Sequence, residues 1–213
     1  MDKTVLYDIS YGLYAIGVKD NDRDCGCIVN TVFQISGDGP IIALSMNKEN
    51  YTYDLIKRTN RFSVSILSEQ SNPEVISRLG FVSGKDNNKW EGFAFDHFEG
   101  LPIVKENALG HMVCEVMTMV ETTTHFVILA KVMEAEKDTK GVAMTYDYYH
   151  NVIKGKAPKK APTYQEVEVP TSNKETWVCS ICGYVYDGPD FAAEPESYVC
   201  PICGVPKLMF EKR

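Results

Sequence analysis

The sequence predicts a mainly β domain of the α+β class, barrel-like in outline, followed by a small unit built on four cysteines. Three observations carry this expectation. Up to about residue 153, short runs rich in β-branched residues alternate with two helical segments. From Lys154 the chain turns polar and proline-punctuated, as a linker does. The last 37 residues, Trp177 to Arg213, then carry two C-x-x-C-G pairs.

Taken in order, Ile28 to Ile35 (IVNTVFQI), Ile41 to Met46 and Phe62 to Leu67 have the length and composition of strands. Met112 to Val120 and His125 to Ala135 read as two longer strands joined by Glu121 to Thr124, an antiparallel pair. Helices are expected from about Tyr51 to Thr59, and from Asn72-Pro73 to Gly80. Asparagine followed by proline makes a good N-cap and first turn. These boundaries give a first domain at 1–163, a linker at 164–176 and a small domain at 177–213. Extended at a little over 3 Å per residue, the linker reaches roughly 40 Å.

Composition narrows the function classes. Apolar content of 44% and charged content of 24% fit a globular chain. A net charge of −7 argues against general nucleic-acid binding, which needs a basic face. No apolar run is long enough for a signal peptide core or a bilayer span, so a cytoplasmic protein with no membrane partner is expected. Among seven cysteines, Cys25, Cys27 and Cys114 form no disulfide framework and read first as packing residues.

The strongest signal is Cys179-Ser-Ile-Cys182-Gly183 with Cys200-Pro-Ile-Cys203-Gly204. Each C-x-x-C turn brings two thiolates to one side of a tight loop, and the following glycine supplies φ > 0. Two facing loops make a tetrahedral S₄ site from Cys179, Cys182, Cys200 and Cys203, and spacing alone leaves zinc and iron open. A unit of this size rarely folds without a metal or disulfides. The residues around the knuckles, Cys182 to Gly188 and Tyr198 to Lys207 with Phe210-Glu211, resemble a rubredoxin. The stretch between the knuckles is shorter than in a free-standing one. That resemblance implies iron, a one-electron relay with no open coordination position. Trp177, Tyr184, Tyr186, Phe191, Tyr198 and Phe210 would form its aromatic shell.

The first domain has no dinucleotide fingerprint, Walker loop or H-E-x-x-H. Ser45 to Thr52 leaves a strand and enters a helix with hydroxyl, amide and lysine side chains, a composition that suits a phosphate. Asn50 serves equally as a plain N-cap. Residues 5 to 164 are similar to the flavin reductase-like family of split-barrel FMN proteins. The segments that carry this are Ile28 to Gln34, Ser45 to Thr52, Gly80 to Asp86 with Lys89, and the arm from Tyr148 to Tyr164.

The family resemblance implies a split β-barrel homodimer with FMN near the interface. Asn30, Thr31, Val32, Phe33 and Gln34 would line the isoalloxazine. Ser45, Asn47, Lys48, Asn50 and Thr52 would hold the ribityl chain and phosphate, with Ser83 and Lys89 also at the cofactor. His125 would lie near the nicotinamide, although Thr123-Thr124 precede it where many members have Gly-Asp. The expected function is an NAD(P)H-dependent oxidoreductase that passes electrons through FMN to the Cys₄ iron. Fusions of this kind resemble the high-molecular-weight rubredoxins of anaerobes, which implies an acceptor such as a flavodiiron O₂ or NO reductase. Two alternatives stand beside this: a non-catalytic carrier, and a zinc-ribbon interaction module on an FMN-binding barrel. Lys154, Lys156, Lys159 and Lys160 read as a solvated charge run, or as a basic arm that covers a flavin or attracts the acidic tail.

Overall fold

The computed structural model describes residues 1–2, 4–85, 87–153, 176–180, 183–202 and 204–212. Residues 154–175, which include the basic arm and nearly all of the linker, lie outside the described residues, as do Cys182 and Cys203.

Seven strands form one antiparallel sheet: β1 (Tyr14–Asp20), β2 (Arg23–Val29), β3 (Val32–Ser36), β4 (Ile41–Asn47), β5 (Arg61–Leu67), β8 (Ala108–Glu121) and β9 (His125–Lys137). Their order is β2-β1-β5-β8-β9-β4-β3. The two end strands, β2 and β3, are separated in sequence only by Asn30 and Thr31. A sheet whose first and last strands are consecutive must curl until they meet, and β2 also contacts β4. This is the barrel the sequence predicts. The expected single strand Ile28–Ile35 is in fact two, because the chain changes partner at Asn30-Thr31. Val29 pairs with Tyr14 of β1, whereas Val32 pairs with Leu44 of β4.

Both helices form where their caps direct. α1 (Tyr51–Thr59) is capped by Asn50, whose side chain accepts from the Thr52 amide at 2.9 Å, and it ends on Asn60 in the left-handed region. α2 (Pro73–Phe81) starts with Asn72 accepting from Glu74 N–H at 2.9 Å and Pro73 in the first turn. It runs one residue past the Gly80 stop. A small hairpin, β6 (Phe95–Phe98) with β7 (Leu101–Val104), and a short helix α3 (Tyr146–Asn151) complete the domain.

Two apolar clusters hold the barrel. One fills its interior with Ile16, Leu44, Ile56, Phe62 and Ile128; the other lies under α2 and α3 around the fully buried Trp90. Cys25, Cys27 and Cys114 all belong to the first cluster as free thiols. Burial raises the Cys114 thiol to about 12, which makes it an inert packing group. Among the described residues, no helix is long and apolar enough to cross a membrane.

The tail has its own cluster of Cys179, Phe191, Cys200, Ile202 and Phe210, pinned by β10 (Trp177–Cys179) against β11 (Phe210–Lys212).

Candidate functional site

A cavity of about 490 Å³ opens between the end of β2, the β4–α1 turn and the C-terminal end of α2. Its wall includes Asn30, Ser45, Asn47, Asn50, Ser83, Lys89 and His125, seven of the residues expected at the cofactor. The turn from β4 into α1 explains the group in the middle of that set. Tyr53 N–H bonds the Asn50 carbonyl and Glu49 N–H bonds the Asn47 side chain, so the loop wraps the N-terminal end of α1. The aligned peptide dipoles of α1 leave a partial positive charge at that end.

Lys89 adds a full positive charge. It is only 4% exposed, and its Nζ donates to the Leu79 carbonyl at 2.6 Å. Among the described residues its charged neighbours are the Cys27 and Cys25 thiols rather than a carboxylate. Burial therefore pushes the Lys89 ammonium below the ordinary lysine range, and burial likewise pushes the Cys27 thiol up. A buried ammonium on a cavity wall, with no carboxylate partner among the described residues, fits an anionic ligand, which would compensate its desolvation.

His125 sits opposite Asn47 in the β4–β9 register, with its Nδ1 against the Thr124 hydroxyl at 2.7 Å. Burial lowers its pKa from the usual histidine value, so the ring is neutral at pH 7. The cavity mouth is braced by Arg23, which donates to Asp20 at 3.1 Å, Tyr51 Oη at 3.1 Å and the Lys85 carbonyl at 3.0 Å. Tyr51 Oη in turn donates to Asp20 at 2.7 Å, which holds the Asp20 carboxyl below its usual range, Arg23 assisting.

Other expected site residues lie elsewhere. Lys48 pairs with Glu121 and lies over the Phe126 ring, and Thr52 is buried beside Cys27 rather than on the wall. Thr31 donates to the Ser45 carbonyl at 3.0 Å, while Val32, Phe33 and Gln34 belong to the edge strand β3, with Phe33 61% exposed. Within one chain, then, Thr31 to Gln34 do not reach the cavity. Sequence reasoning missed Cys27, Tyr51, Phe81 and Tyr149 on its wall. The strand alternation that puts Cys25 and Cys27 on one face was the available signal for the first of these.

In the tail, both knuckles share one backbone pattern. Gly183 N–H bonds the Cys179 carbonyl at 2.9 Å and Gly204 N–H bonds the Cys200 carbonyl at 2.8 Å. Cys179 N–H bonds Tyr184 O, and Cys200 N–H bonds Val205 O, both at 2.8 Å. The two glycines have φ of +76° and +69°, as the sequence requires of them. Cys179 and Cys200, each 1% exposed, share the cluster that Trp177, Tyr184, Tyr186 and Tyr198 surround. Trp177 stacks on Phe191 at 4.7 Å, and Phe191 contacts Phe210 at 4.7 Å. Two related turns that bury thiols under an aromatic shell fit a Cys₄ metal centre. The other two ligands of that set, Cys182 and Cys203, are outside the described residues.

Comparison with known proteins agrees with both halves. Residues 6–155 match the flavin reductase like domain, and residues 177–211 match the rubrerythrin, rubredoxin-like domain. The high molecular weight rubredoxin of Moorella thermoacetica is 36% identical over 228 aligned positions, covering 100% of both chains. The ferric-chelate reductase (NAD(P)H) of Archaeoglobus fulgidus is 35% identical over 78% of this chain and 99% of its own. In fold, the barrel is similar to the NADH:FAD oxidoreductase SgcE6 of Streptomyces globisporus, with a TM-score of 0.59 at 17% identity, covering 66% of this chain and 83% of that one.

Proposed function

This chain belongs to the flavin reductase like domain family and carries a rubredoxin-like domain behind it, and from that premise we propose that it moves electrons from NAD(P)H through a flavin to an iron centre and on to an external acceptor. It is an oxidoreductase, as its relatives are. The observation that carries the reading is the pairing, in one chain, of a barrel cavity walled by the buried Lys89 and the start of α1 with a shielded multi-thiol unit.

Bound FMN would supply the conversion of a two-electron hydride into single electrons, and the Cys₄ iron would carry one electron at a time. The chain's own residues prepare this. Lys89 and the N-terminal end of α1 hold the phosphate. Asn47 and Ser45 bond the ribityl chain, and Asn30 bonds the ring's polar edge. His125, neutral and half-buried, borders the nicotinamide side and needs to transfer no proton. Cys179, Cys182, Cys200 and Cys203 are the iron ligands, and the aromatic shell keeps water from them.

The exposed Phe33, Ile35, Met117 and Val120 on β3 and β8 support a second copy of the chain as the partner of the barrel. In such a dimer Thr31 to Gln34 would reach the partner's cavity. The full-length similarity to a high molecular weight rubredoxin supports a soluble redox protein, of the flavodiiron kind, as the acceptor of the electrons. Metal analysis and the visible spectrum of protein purified without oxygen test the cofactors together. One iron and one FMN per chain are expected; stoichiometric zinc removes the relay.

A further inference from the structure

Phe81, the last residue of α2, is half-buried and has three sets of neighbours. It lies on the wall of the barrel cavity, and it packs on the barrel's second cluster beside Ile76 and Leu79. It also packs against the tail cluster of Cys179, Phe191, Cys200, Ile202 and Phe210. No other barrel residue is among the hydrophobic neighbours of that tail cluster among the described residues. Val82, next in the chain and 37% exposed, extends the same rim.

We propose that the four-cysteine unit docks in cis on the rim of the cavity, with Phe81 as the apolar contact that places the buried cysteines beside the flavin site. The proposal rests on the reading of the cavity as a flavin site and of the tail as an iron unit. It adds where the two meet and by what chemistry.

An aromatic side chain wedged between two apolar clusters gives an attraction that does not depend on charge. The sequence suggested a different contact, between the basic 154–160 arm and the acidic tail. Such a contact weakens as salt shortens the screening length from about 10 Å at 0.1 M to about 3 Å at 1 M. The Phe81 contact holds at both salt concentrations. Electron transfer falls steeply with distance, so a single contact side chain shared by both sites sets how often the transfer geometry is reached. A weak contact also suits a relay, since the tail must leave the rim to meet its outside acceptor.

Hydrogen–deuterium exchange on the full chain reads docking without any turnover. In the wild-type chain, amides around Leu79 to Ser83 and around Val178 to Phe191 should be protected, at low salt and at 1 M NaCl alike. Phe81→Ser should raise exchange in both segments by about tenfold, as expected for loss of part of a buried aromatic contact. Phe81→Leu, which keeps an apolar side chain, should restore most of the protection. Exchange in β5 and β8 checks that the barrel stays folded. Anaerobic stopped-flow on the same variants adds the functional readout, the rate of iron reduction divided by that of flavin reduction. That ratio should fall for Phe81→Ser and recover for Phe81→Leu. Unchanged tail exchange in Phe81→Ser, or loss of protection with salt in the wild type, would overturn the proposal. If the chain bound no flavin, the exchange result would still stand, so the two readings fail separately.

Discussion

Replacing Lys89 by Met separates a ligand-binding role from a structural one. The side chain is 4% exposed and, among the described residues, makes one bond, to the Leu79 carbonyl in the last turn of α2. Methionine of similar length keeps the packing and removes the charge. Two effects on folding oppose one another. The Leu79 carbonyl loses its donor, a cost of about 1–3 kcal/mol, and the desolvation of a buried ammonium is relieved. The net change in apo stability is therefore small. Binding has no such compensation. A charge-assisted hydrogen bond to phosphate contributes about 1.5–3 kcal/mol, so FMN affinity should fall by about ten- to a hundredfold. Riboflavin, which lacks the phosphate, should bind the wild type and Lys89→Met within a few-fold of each other. Calorimetric titration of both flavins into both proteins measures this. Equal FMN affinities would refute the assignment of Lys89 to the anion end of the cavity. The pH dependence adds a sign. Because the folded-state pKa of Lys89 lies below the ordinary 10.5, the unfolded chain holds more protons between those two values. Apo stability of the wild type relative to Lys89→Met should thus rise with pH across that window.

Three further outcomes follow from the same geometry. Gly204→Ala places a side chain at φ +69° where a Cβ meets nothing within 4 Å, so the cost is backbone strain alone, about 1–2 kcal/mol. Faster metal loss to a chelator should report it. Asn72→Ala removes the α2 cap, which accepts from Glu74 N–H at 2.9 Å, at about 1 kcal/mol. The barrel Tm should fall by about 2–4 °C. Cys182→Ser should bleach the metal absorbance and make the tail protease-sensitive while the barrel remains folded, as limited proteolysis would show.

Much of the fold was legible because its signals are local. Asn50 and Asn72-Pro73 announce the two helix starts, and the run from Met112 to Ala135 is long enough to show a hairpin. The tail was legible because thiol spacing, glycine and aromatic residues all point to one structure. What stayed hidden depends on distant partners. The break at Asn30-Thr31 carries no glycine or proline; it exists because β2 and β3 pair with opposite ends of the sheet order. β1 was missed because Gly17 and its polar end interrupt the pattern, and in the fold Gly17 faces Gly26 across the pair. The cavity shows the same division. Ser45, Asn47 and Asn50 sit on a local strand-to-helix turn, whereas Cys27, Tyr51 and Phe81 reach the wall only once α1 and α2 pack on β2. Lys48 and Thr52 instead meet partners distant in sequence, Glu121 and Cys27, which hold them off the cavity wall.

The most direct test of the relay is anaerobic stopped-flow mixing of the purified, full-length protein with NADH or NADPH, followed at the flavin and iron absorbance bands. Flavin absorbance should fall first or together with the iron band, at a rate independent of protein concentration for the second step. Iron reduced by the nucleotide in a flavin-free preparation, or a flavin that the nucleotide leaves oxidised, would contradict the account.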